Sequence, residues 1–180
     1  ENFSTVIGNM VHYVMEKCLS NNDIDTNKYV SLSLEDRKLS NKEKFFLEKY
    51  KVCINELLEQ VLLEYEYSSF DNAMYEKKID IDYGNNIKFT GIIDKILYKD
   101  ENDKTYISLI DYKTGNPDLN LNHIIYGLDM QLPIYLYLVR KYIPNTNIAG
   151  FYLQKVLNNE ISKDYKHTYD SLKRDKLKLQ

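Results

Sequence analysis

Ile107 to Gly115, I-S-L-I-D-Y-K-T-G, alternates like a buried strand, yet it sets an acid and a lysine two residues apart before breaking at Thr114-Gly115. A period of two puts Asp111 and Lys113 on the face they share with Ile107 and Leu109. A carboxylate and an ammonium therefore end a row of core side chains, where an unpaired charge costs several kcal/mol or moves its pKa. The fold has to bring compensating groups to that point.

Lys88 to Tyr98, K-F-T-G-I-I-D-K-I-L-Y, reads as a second strand, and Asp100 to Lys104 as the polar loop of a hairpin. A turn centred on Asn102 and Asp103 sets Tyr98 opposite Ile107, Ile96 opposite Leu109 and Asp94 opposite Asp111. One face is then apolar along its length and acidic at one end. Two ionised carboxylates about 4 Å apart at an effective dielectric near 20 repel by ~4 kcal/mol, a strain that a divalent cation reverses. A hard-metal site is the economical reading.

Composition narrows the classes. A chain of 180 residues, 43% of them hydrophobic, makes one domain with a real core. Its net charge of -3 argues against a basic coat for nucleic acid while leaving room for a local positive groove. With no membrane-length apolar run and no secretory leader, the expectation is a cytoplasmic protein with no membrane partner. Cys18 and Cys53 lack the spacing of a zinc or disulfide framework and read as packing residues. The chain opens at Glu1 and closes on K-L-K-L-Q, which resembles the start of a strand. A single domain over 1–180, excised from a longer protein, is expected.

In chain order, Ser4 or Thr5 can cap a helix running to about Leu19, with Gly8, Val11, His12, Met15, Glu16 and Leu19 along one stripe. Gly8 lies one turn before His12 and suggests a close backbone approach. A lone histidine there is more commonly a hydrogen-bonded core residue; the carboxylates elsewhere change those odds. Asn21 to Ser40 reads as irregular. A long helix from Asn41 buries Phe45, Phe46, Leu47, Tyr50, Cys53, Ile54, Leu57, Leu58, Val61 and Leu62. Met74 to Tyr83 alternates as a strand, turning at Gly84-Asn85-Asn86. Glu76 in it either reaches the acidic cluster or is a solvated strand residue. Beyond a loop over Asn116 to Asn122, a helix from about His123 to Tyr142 stripes Leu128, Gln131, Tyr135 and Leu138, with Pro133 kinking or restarting it. Asn147 to Val156 is a final strand, and Lys163 to Lys178 a basic, partly helical, solvated stretch. This order gives an α/β fold, a small mixed sheet flanked by helices on both sides.

Taken together, G-N-M-V-H (Gly8 to His12), G-I-I-D (Gly91 to Asp94), I-D-Y-K-T-G (Ile110 to Gly115) and Q-L-P-I-Y (Gln131 to Tyr135) resemble the RecB-like branch of the PD-(D/E)XK nuclease superfamily, in particular the nuclease domain of AddB subunits of bacterial AddAB helicase-nucleases. The resemblance runs from about Val6 to Val156. It implies a restriction-endonuclease-like core, with Asp94 and Asp111 as catalytic metal ligands and Lys113 as the catalytic lysine. It further implies His12 as another metal ligand and the Tyr112 carbonyl completing the shell. Gln131 and Tyr135 match a Q-x-x-x-Y motif that orients the lysine and contacts DNA. Glu16 matches an acidic position without a firm role, and Glu76 stays an open candidate on its strand position alone. The ion implied is Mg²⁺, with Mn²⁺ as substitute.

The partners implied are DNA ends, single- or double-stranded, and the helicase subunit of an AddAB-type complex in double-strand break processing and recombination. Members with an iron-sulfur cluster carry its cysteines before the first helix and after the last strand, and Cys18 and Cys53 do not match them; this stretch does not support a cluster. No G-x-x-x-x-G-K-[ST] loop is present, so ATP-driven movement needs another region or subunit. Two alternatives stay open: a freestanding RecB-like nuclease of the CRISPR adaptation kind, and a non-catalytic DNA-binding module of the same fold.

Overall fold

A computed structural model describes residues 2–115 and 121–156. Helix α1 (Phe3–Asn21) is capped by Asn2, whose side-chain oxygen accepts the Thr5 N–H at 2.9 Å. The cap thus falls earlier than Ser4 or Thr5, because an asparagine already offers its carbonyl to the first turn. Residues 21–40, read as irregular, contain helix α2 (Thr26–Ser33), which Asp25 caps and which buries Thr26, Tyr29 and Val30. Eight residues carry too little periodicity to stand out. Helix α3 (Asn41–Tyr67) starts where expected, on a capping box between Ser40 and Glu43. Its buried side is narrower than expected: Leu47, Cys53, Ile54, Leu57, Leu58 and Val61 are covered, whereas Phe45 is 76% exposed and Phe46 and Leu62 also face solvent.

Four strands form one sheet in the order β1 (Asn72–Asp82), β2 (Lys88–Glu101), β3 (Lys104–Lys113), β4 (Thr146–Lys155). The first two pairings are antiparallel, and β3 pairs with β4 in parallel. Asn102 and Asp103 both have positive φ, 51° and 59°, the backbone of a two-residue hairpin turn. Tyr98 faces Ile107 and Ile96 faces Leu109, as the sequence indicates. The chain then crosses through a 3₁₀ helix (Leu121–Tyr126) and α4 (Gln131–Tyr142). A helix continuous from His123 is therefore not formed. Pro133 sits in the first turn of α4, where its missing N–H has no helical partner to lose, and Leu128 lies off the helix and exposed.

Helices cover both faces. On one, α1, α2 and α3 pack with Ile110 and Tyr112; on the other, Leu138 and Val139 of α4 pack on Ile79, Ile93, Ile96, Ile107 and Leu109. This is the α/β arrangement expected. Cys18 and Cys53 are buried free thiols. No described helix is long and apolar enough to cross a membrane. The basic stretch Lys163 to Lys178 lies outside the described residues.

One irregularity matters. Met74, Ile79 and Ile81 of β1, and Phe89, Ile93, Ile96 and Tyr98 of β2, all pack toward α4, so both strands change parity partway along. The pairing of β1 with β2 runs through Tyr75–Lys95 and Lys77–Ile93 but omits Glu76 and Asp94, and Glu76 has φ 43°. The pairing of β2 with β3 likewise ends at Lys95–Ile110. Asp94 and Asp111 thus meet where the ladder opens rather than as a ladder pair.

Candidate active site

The break in the ladder frees the Glu76 and Asp94 side chains to turn toward α1. His12 Nδ1 lies 3.0 Å from Glu76 Oε1 and 3.4 Å from Asp94 Oδ1. Ligand-type atoms of His12, Glu76 and Asp94 all fall within 4.8 Å of one another. The other oxygen of Asp94 accepts the Tyr112 N–H at 2.7 Å, replacing the missing ladder bond and fixing the carboxylate. Tyr112 itself is buried, its ring edge-on to the His12 imidazole at 6.2 Å.

A second set sits on the α4 side. Lys113 Nζ approaches Asp111 Oδ2 to 2.6 Å and donates to Gln131 Oε1 at 2.9 Å. The Gln131 amide nitrogen donates to Asp111 Oδ1 and to the Tyr135 hydroxyl, the latter at 2.9 Å. One glutamine so ties together the acid, the lysine and the phenol, and the spacing of four along α4 makes this possible. Gly91 lets α4 settle: a Cβ there would overlap Leu138 Cδ1 and lie 3.9 Å from the Tyr135 ring.

Electrostatics follow from burial. His12 would be driven down by burial, but hydrogen bonds to Asp94 and Glu76 and their charges outweigh it and push the pKa up to about 10. Burial raises the Asp111 carboxyl, against the pull of Lys113 and with the repulsion of Asp94. Burial also pushes Tyr135 up to about 12. Two acids, an imidazole and a third acid beside a lysine suit a hard divalent cation. His12, Asp94, Asp111, Lys113, Gln131 and Tyr135 are all brought to this region.

Glu16, on the helix turn after His12, pairs with Lys17 at 3.1 Å. One expectation is corrected. Gly8 meets no close backbone, since among the described residues a Cβ there would touch nothing within 4 Å. Glu76, by contrast, is nearest to His12. Alternation left it ambiguous, because the turn of its backbone has no sequence signature.

Over residues 1–178 the chain matches the PD-(D/E)XK nuclease superfamily. It belongs to that superfamily. Relatives of the RecB-like, AddB-associated branch are similar to it. It is 36% identical over 104 residues to an ATP-dependent helicase/deoxyribonuclease subunit of Caldanaerobacter subterraneus subsp. tengcongensis, covering 56% of this chain and 9% of that protein. To the corresponding protein of Thermoanaerobacter sp. (strain X514) it is 33% identical over 119 residues, 63% of this chain and 10% of that one. To that of Clostridioides difficile (strain 630) it is 37% identical over 75 residues, 41% and 6% respectively. The chain spans about a tenth or less of the curated relatives it matches. The superfamily is one of nucleases, and the His12–Glu76–Asp94 cluster can hold the divalent ion such chemistry uses.

Proposed function

We propose that this domain is a Mg²⁺-dependent deoxyribonuclease that degrades DNA from its ends, working beside the helicase subunit of an AddAB-type complex in double-strand break processing. The observation that carries the reading is the convergence of His12, Glu76 and Asp94 next to the Asp111–Lys113–Gln131 set. The similarity to proteins named as ATP-dependent helicase/deoxyribonuclease subunits supports the helicase association.

When bound, Mg²⁺ supplies charge neutralisation at the phosphate and a water of lowered pKa. His12, Asp94, Asp111 and the Tyr112 carbonyl are the proposed ligands, with Glu76 able to join them. The Tyr112 N–H keeps Asp94 oriented. Lys113 is positioned to hydrogen-bond the attacking water or the developing phosphorane oxygens, and Gln131 fixes its ammonium. Tyr135, held by the same glutamine, presents its phenol toward the DNA strand.

The test is hydrolysis of linear and covalently closed DNA with Mg²⁺ or Mn²⁺. Linear DNA should be degraded and closed circles spared. A protein that binds DNA ends with Mn²⁺ present yet cuts neither single nor double strands would replace this reading with the non-catalytic one.

A further inference from the structure

Tyr83, Phe89 and Tyr137 form an aromatic cluster with no part in holding the metal. Tyr137 stacks on Tyr83 with centroids 6.4 Å apart and planes 17° from parallel, and Phe89 meets Tyr137 edge-on at 6.0 Å. Two of its rings are open to solvent, Tyr83 at 51% and Tyr137 at 37% exposed, with Ile87 in the hairpin tip at 61%, while Phe89 is half-buried and backs them against the core. Contiguous exposed aromatic surface of this kind marks an interaction site more often than a scatter of single residues does.

Cations border it. Lys141 Nζ lies 6.0 Å from the Tyr137 centroid and Lys77 Nζ 4.8 Å from that of Tyr142. Helix α4 carries Arg140 and Lys141 and no acid. In a chain of net charge -3 this is a local excess of positive charge suited to a polyanion.

The cluster is also continuous with the candidate active site. Helix α4 bears Gln131 and Tyr135 as well as Tyr137, and β2 bears Asp94 five residues beyond Phe89. Five residues of strand reach ~17 Å. At ~3.4 Å per stacked nucleotide that is about five nucleotides.

Resting on the nuclease reading above, we propose that Tyr83, Phe89 and Tyr137 form a stacking platform for bases of single-stranded DNA a few nucleotides from the scissile phosphate. Aromatic faces accept any base and flanking cations follow the phosphates, the combination that binds single strands without sequence preference. A duplex keeps its base faces paired and stacked and would leave these rings unused. The partner is thus a single strand.

The test is ultraviolet crosslinking of the full chain to an oligothymidine bearing one halogenated pyrimidine, in EDTA so that nothing is cut, with the adduct mapped by mass spectrometry. Adducts should fall on peptides containing Tyr83 or Tyr137, drop roughly five- to a hundredfold in Tyr137→Ala, the span expected for one lost base stack, and persist in Tyr137→Phe. Lys141→Ala, which leaves the rings in place, should weaken capture more at low than at high salt. Adducts found only elsewhere would overturn the platform, as would equal competition by blunt duplex. So would Tyr137→Ala releasing the helicase subunit with crosslinks unchanged, which would assign the face to protein contact. Hydrolysis of bis(p-nitrophenyl) phosphate with Mn²⁺, too small to reach the platform, separates the two readings. It should survive Tyr137→Ala, and its absence in a wild-type protein that still crosslinks would count against the nuclease reading alone.

Discussion

Lys113 Nζ lies 2.6 Å from Asp111 Oδ2, two residues back along the same strand. A strand's period of two produces this neighbourhood with no help from tertiary structure, and Gln131 then holds the ammonium from the opposite side. The lysine is therefore poised beside a metal-ligand candidate while its own shell is completed by α4.

Lys113→Ala should lower the cleavage rate by about 10²- to 10⁴-fold, the range for losing one well-placed acid-base or charge-stabilising group. Affinity for Mn²⁺ should stay the same or rise, because a competing cation leaves Asp111. Single-turnover cleavage at saturating metal, together with Mn²⁺ titration, separates the two effects. Wild-type turnover in this variant would remove Lys113 from the chemistry.

The His12 pKa, pushed up to about 10 in the metal-free protein, has two consequences of opposite sign. Raised above its unfolded value, it contributes stability that is fully present below about pH 6.5 and is lost as pH rises through about 10. Metal binding to the imidazole must release that proton, so Mn²⁺ affinity should climb by roughly tenfold per pH unit between pH 7 and 8.5. Calorimetry in buffers of different ionisation enthalpy counts the proton released. His12→Ala should bind metal more weakly and with a flatter pH profile; an unchanged slope would mean that His12 is not a ligand.

Asp111→Asn keeps the shape of the site and removes a carboxylate whose charged form is disfavoured first by burial and also by Asp94. A raised folded-state pKa means that stability falls as pH rises above the carboxylate range, so at neutral pH the metal-free variant should melt a few degrees above wild type. Wild type should gain stability as Mn²⁺ is added, by about 2.7 kcal/mol at a hundredfold excess over Kd, and the variant should lose most of that response. A metal-free variant that melts lower yet responds fully would exclude Asp111 as a ligand.

What the sequence discloses follows from which forces are local. The β2–β3 register was legible because alternating Ile96, Tyr98, Ile107 and Leu109 allow one pairing and Asn102-Asp103 fits a two-residue turn. Gln131 and Tyr135 could be paired because their spacing of four does not depend on where α4 begins. Glu76 stayed ambiguous, since its reach to His12 depends on a single positive φ and a parity change that alternation cannot show. The exposed Phe45 shows the reverse limit. An apolar stripe tells which side of α3 is apolar, not how far its neighbours extend.

Lys95 is the residue that sequence reasoning passed over, and it supplies the last prediction. The side chain is fully buried on the face covered by α3, its ammonium without a hydrogen-bond partner among the described residues and 4.7 Å from the Tyr65 ring centroid. Burial pulls its pKa down to about 8, against a smaller opposing pull from the charge of Glu64. A depressed lysine pKa means that the unfolded chain binds more protons between about 8 and 10.5, so the Lys95 contribution to stability rises with pH across that window, opposite in slope to that of His12. Below it the protein carries the whole penalty. The gap between about 8 and 10.5 corresponds to ~3.5 kcal/mol at about 1.4 kcal/mol per unit. Lys95→Met keeps the length of the side chain and removes the charge, while forfeiting a cation–π contact of about 0.5–2 kcal/mol. The variant should therefore gain about 1.5–3 kcal/mol at pH 7, the difference of the two preceding figures, and that gain over wild type should shrink as pH rises from about 8 to 10.5. Urea unfolding at four pH values would decide it: a variant less stable than wild type at pH 7, with the wild-type slope retained, would mean that the ammonium has a partner and that Lys95 is held charged by design of the core.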